Sequence, residues 1–149
     1  MYAGLAPLAS LGARPADAAS RRLFFSTLDL PRIRANARTP LLGPLYREWA
    51  ASSPADLGKA IDKFEASGEY IRDFLGATRL LGQSALVQIV EPSKPREDSL
   101  IDGIRRIIEA PYWDYFRDGK TEVIGIQRAS FATVRMLFAR EALGEAIDP

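Results

Sequence analysis

The chain of 149 residues is 47% hydrophobic and 26% charged with a net charge of +1, enough apolar content for one domain-sized core and too little net charge to mark a nucleic-acid-binding protein. It holds no cysteine and no histidine; disulfides, thiolate metal sites, cysteine nucleophiles and histidine-based relays or metal centres are therefore excluded within it. The charge is uneven, with seven arginines against three acids in residues 1–50, about +4, and about −3 in the remainder, but no Lys/Arg run makes a phosphate-binding surface.

Residues 1–20 are rich in Ala, Leu, Gly and Pro without periodicity. Ala16-Asp17-Ala18 has the form of a signal-peptide cleavage site, yet no basic residue opens the segment, and Gly4, Pro7, Ser10 and Gly12 interrupt its apolar stretch. It reads as a disordered or poor signal-like N-terminus ahead of a helical domain over 21–149. The longest uncharged apolar run beyond it, Leu80 to Val90, is too short to span a bilayer, so no membrane partner is expected.

From Arg21 the chain is a series of helix signals. Ser26 is an N-cap with Asp29 three residues on, or Asp29 itself caps with Pro31 in the first turn, and Leu30, Ile33 and Ala37 follow at helical spacing. Thr39-Pro40 starts a helix with Leu42, Leu45, Tyr46 and Trp49 on one face. Ser53-Pro54-Ala55-Asp56 starts the next, with Leu57, Ala60, Ile61 and Phe64 inward and Gly68 as its close. Glu69 to about Val90 is the longest helix, with Ile71, Phe74, Leu75, Thr78, Leu81 and Ala85 inward. Its second half is apolar nearly all round, which requires burial on more than one side.

After the loop Glu91 to Pro95, the stretch from Leu100 to Ile147 reads as the pair that organises the rest. Leu100, Ile101, Ile104, Ile107 and Ile108 form one stripe, and Pro111 ends that helix because Ala110 cannot keep α geometry before it. Phe131, Val134, Leu137, Phe138 and Ala142 form the facing stripe, with Gly144 at the left-handed C-cap position. Glu122 to Ile126 is the only short strand candidate. Asp148-Pro149 repeats the cap-plus-proline device with no helix after it, so the chain reads as ending in mid-architecture. The fold class is all-α, built of antiparallel helix pairs.

Three stretches resemble the heparinase II/III-like polysaccharide lyases. Arg22 to Arg34 (RLFFSTLDLPRIR) resembles their R-L-L-F-T-x-x-D-L-x-R-L-R opening, although Ser20-Arg21 stands where a histidine often precedes it. Ala110 to Phe116 (APYWDYF) resembles their W-D-Y-F turn. Gln127-Arg128-Ala129 with Ala139 to Gly144 (AREALG) resembles the helix that ends in A-Y-D-x-L-G. The resemblance covers residues 21–149 and implies an incomplete α/α toroid. It further implies the N-terminal helical fragment of an enzyme that cleaves uronic-acid-containing glycans by β-elimination. The family's catalytic Tyr and His lie beyond the matched region, so no catalytic residue carries over and the fragment is expected to be inactive alone, with no cofactor and no metal. An acidic polysaccharide, the missing C-terminal part of the parent chain and self-association are the implied partners, and a periplasmic or secreted location is implied likewise.

Within this frame Tyr112, Trp113, Tyr115 and Phe116 either stack on pyranose faces or plug the end of a helix pair. Arg128, beside Gln127, either holds a uronate carboxylate or pairs with Asp114 or Asp118. Asp114 and Asp118 are four apart, as a glycosidase pair can be, but beside Arg117 and Lys120 they read better as a solvated loop. The tyrosines lack an identifiable partner to make any of them a base. The rival reading is a self-standing helical protein-interaction module; a third is a fragment of a glycoside hydrolase on a similar α/α barrel.

Overall fold

Two helix starts in this chain are built by the same piece of side-chain chemistry. The computed structural model describes residues 23–67, 70–110 and 128–147. Within them the Asp29 carboxylate accepts from the Ser26 backbone N–H at 2.9 Å and from its hydroxyl at 2.8 Å, satisfying a donor that a helix start leaves free. This closes a 3-10 turn, Thr27–Asp29, which runs directly into α1, Leu30–Asn36. Asp29 thus ends the turn and caps α1, with Pro31 in the first helical turn. Ser53 and Asp56 repeat the device at 2.9 and 2.8 Å ahead of α3, Pro54–Ala66. Between them, the helix expected at Pro40 starts late. Thr39 Oγ1 accepts from the Leu42 N–H at 3.2 Å and its carbonyl from the Gly43 N–H at 2.7 Å. Thr39 therefore caps a turn, and α2, Gly43–Ala50, begins after it with Pro44 at its start.

The longest helix, α4 at Tyr70–Val90, packs against α1, α2, α3, α5 (Lys94–Glu109) and α6 (Arg128–Leu143). The organising role expected of the stretch from Leu100 to Ile147 belongs to α4 instead, because α4 is apolar on several sides. Phe74, Ala77, Leu81 and Ala85 join the main core with α3, α5 and α6, while Val87 and Val90 join a second cluster with Ala37 and Tyr46. Two of the polar groups drawn into this interior have clear partners. Gln88 Oε1 accepts from the Ser93 N–H at 3.0 Å, and Asp73 takes the Lys63 ammonium at 2.9 Å. All regular structure among the described residues is helical.

α5 starts at Lys94, earlier than its apolar stripe, and stops at Glu109; Ala110 then turns to ψ 128°, the extended backbone required before Pro111. Leu100, Gly103, Ile104 and Ile107 are buried, whereas Ile108, expected inward, is 59% exposed. At about 3.6 residues per turn it lies roughly a quarter turn from the centre of that buried arc. Gly103 lies at the edge of the arc away from Ile108: a Cβ there would meet Ile61, Leu57 and Leu81 at 3.2 Å each, so three helices touch at a residue without a side chain.

The stripe expected on α6 is overturned at Phe131, Val134 and Leu137, while Phe138 and Ala142 are partly buried against the core. Ala132, Met136, Ala139 and Leu143 are buried, while Phe131, Val134 and Leu137 are 59%, 52% and 40% exposed, and Phe138 is half-buried. Apolar residues surround this helix, so periodicity does not choose a face. Close approach to α4 does, and alanines permit it where phenylalanines would hold the helices apart. Gly144 follows with φ 57°, the left-handed cap expected there.

Candidate functional site

None of the aromatic residues proposed from sequence as a sugar platform falls on a described segment. Tyr112, Trp113, Tyr115 and Phe116 lie outside the described residues, as do Asp114, Asp118, Gln127, the strand candidate Glu122 to Ile126, Gly68, Asp148-Pro149 and residues 1–20. Arg128 opens α6 by its backbone, and its side chain also lies outside them.

A site of related chemistry forms elsewhere, in the groove between α4 and α6. Burial of the Ala132 and Ala139 face sets Arg135 at the edge of the contact, its aliphatic stem over Gly82, where an added Cβ would come within 3.3 Å of it. The absent side chain at Gly82 therefore makes room for the arginine. Arg135 Nη1 donates to the Leu75 carbonyl at 3.2 Å and to Thr78 Oγ1 at 3.3 Å. Both bonds use one nitrogen, and Nε and Nη2 keep their donors free of protein partners among the described residues. Arg79 stands close enough that its charge, second to burial, lowers the Arg135 pKa below the ordinary guanidinium range; an arginine nonetheless stays charged at neutral pH. Neither arginine has a carboxylate within ion-pair distance among the described residues. The other cations that do pair have their acids close in sequence or on a facing helix, as with Lys94 between Glu97 and Asp98 at 2.8 Å each.

The two arginines and Gln83 line a cavity of about 480 Å3 whose remaining walls include Phe24, Trp49, Leu86 and Phe138. Phe24 is held there by an anchored strap. The Glu141 carboxylate accepts from the backbone N–H groups of Leu23, Phe24 and Phe25 at 3.0 to 3.3 Å. The Phe24 and Phe25 rings meet Phe138 edge to face at 5.5 and 6.0 Å. A second cavity of about 280 Å3 lies between α1, α2 and α4 and shares Trp49 and Leu86 with the first.

Sequence reasoning missed Arg79, Arg135 and Glu141. A signal for the arginines exists: neither has an acid three or four positions away on its helix, and Arg135 is the one charged residue between Phe131 and Ala139. The tyrosine whose side chain is described, Tyr46, is no base. Burial, and then the Glu91 carboxylate beside it, pushes its pKa up to about 12. Among the described residues no group of three or more acids could hold a metal ion, and no helix is long and apolar enough to cross a membrane. Comparison with known families, curated proteins and solved structures finds no match for this chain.

Proposed function

We propose that this chain is a non-catalytic helical binding module whose α4–α6 groove takes the carboxylate of an acidic ligand. The observation that carries it is the pair Arg79 and Arg135, brought together with no carboxylate of the described residues beside them. Uncommitted guanidinium donors beside an aromatic wall suit an anion with one flat or apolar face. In the setting that the resemblance to heparinase II/III-like proteins implies, the helices are the beginning of an α/α toroid, and the groove is one wall of a cleft for a uronate-containing glycan. The β-elimination chemistry then belongs to the remainder of the parent protein, consistent with the raised pKa of Tyr46.

Arg79 is the residue to change, because it is exposed and anchors nothing in the fold. Titration calorimetry with an oligogalacturonate should show affinity falling about tenfold in Arg79→Gln, the scale of one lost charge-assisted contact. Arg79→Lys should recover part of it. Equal binding by all three proteins sinks the arginine groove, and no binding by any of them removes the uronate glycan as its ligand. A second reading, a self-standing protein-interaction module, is favoured by the exposed Phe131, Val134 and Leu137 on α6.

A further inference from the structure

The arginine groove is polar only at one end. Among the described residues its remaining walls are ring faces and aliphatic chains, with the Gln83 amide and the Trp49 indole N–H as their neutral polar groups, whereas a glycan needs many partners for its hydroxyls. Trp49 and Leu86 belong both to this groove and to the neighbouring cavity, where Ile33, Ala37 and Leu45 continue the lining. Among the described residues that second space carries no charged side chain in its walls, and beside Trp49 only Asn36 and Tyr46 bring polar atoms to a lining that is otherwise aliphatic. One wall of α4 therefore presents a cationic end, an aromatic divide and an apolar recess in succession.

We infer that the two cavities together form a site for an amphipathic carboxylate of the fatty-acid class, its head on Arg79 and Arg135 and its chain passing Trp49 into the apolar recess. This rests on the reading that the groove takes a carboxylate, and it names the rest of the ligand. The recess removes aliphatic surface from water, which is the driving force for the tail. Nε and Nη2 of Arg135, without partners among the described residues, supply the fork geometry that a carboxylate fits. A uronate oligomer has no apolar segment with which to fill the recess.

The test uses the full chain with Trp113→Phe, so that Trp49 alone reports by fluorescence. The probes are decanoate below its micelle concentration, decanol, and trigalacturonate. Decanoate should bind at least about tenfold tighter than decanol, the value of an added charge-assisted contact, and shift Trp49 emission. Arg79→Gln should erase that advantage. Leu45→Asp, a substitution at a half-open position on the recess rim, should weaken both aliphatic probes while circular dichroism stays helical. Arg79-dependent binding of trigalacturonate, with decanoate no better than decanol, overturns this inference and leaves the groove reading standing. No Arg79-dependent binding of either acid overturns both.

Discussion

Asp73 shows how one buried residue ties stability to pH. Its side chain is 8% exposed, and hydrogen bonds from Ser67 and then Lys63 hold its pKa below the ordinary 3.8. A carboxylate whose folded pKa is depressed adds stability above its unfolded value, and loses it as pH falls through the lower folded one. Thermal melts taken from about pH 6 down to about pH 2 should therefore fall steeply below 3.8. Asp73→Asn should be less stable at neutral pH and should lack this part of the acid loss; an identical acid profile in the variant contradicts the assignment. Gly103 makes the opposite kind of claim, about space. Alanine gains about 1 kcal/mol of helix propensity over glycine, but here its Cβ meets three side chains from two helices at 3.2 Å. None can withdraw without pushing into the core, and overpacking costs about 1–3 kcal/mol. Urea denaturation should find Gly103→Ala less stable than the parent and Gly103→Leu unable to fold cooperatively.

The helices divide into those whose faces the sequence determines and those whose faces packing decides. In α3, Leu57, Ile61 and Phe64 are buried as their spacing requires, because the intervening residues are charged or small and only one face can go inward. The same contrast makes Leu100, Ile104 and Ile107 legible on α5. On α6 it fails: with apolar side chains on every side, the stripe is chosen by which residues let two backbones come close, a property of α4 as much as of α6. Alanine scanning separates the two accounts. Met136→Ala should cost about 2–5 kcal/mol, as should Ile104→Ala, whereas Phe131→Ala should stay within about 0.5 kcal/mol of the parent, as surface changes usually do. Equal losses at Met136 and Phe131 would restore the stripe read from sequence.

At the scale of the whole molecule, the all-helical class was legible because four of its helices, α1, α2, α3 and α5, start at Ser, Asp or Pro signals that act locally. The groove was not, since it depends on Arg79 and Arg135 coming together from positions 56 residues apart in the chain, and no local pattern encodes that meeting. The outer face of α6 poses the remaining question. Phe131, Val134 and Leu137 recur every three residues and stay 59%, 52% and 40% exposed, forming one strip along the helix. Apolar strips of this kind promote association, because water is released when two of them meet. A second copy of the chain offers the same strip, and two helices laid face to face would cover it symmetrically. Light scattering should therefore show mass rising with concentration. Phe131→Ser with Leu137→Gln should return a monomer without lowering Tm, since neither side chain supports the core. A parent chain that stays monomeric at every concentration, or a double variant that associates as before, would remove α6 from the contact.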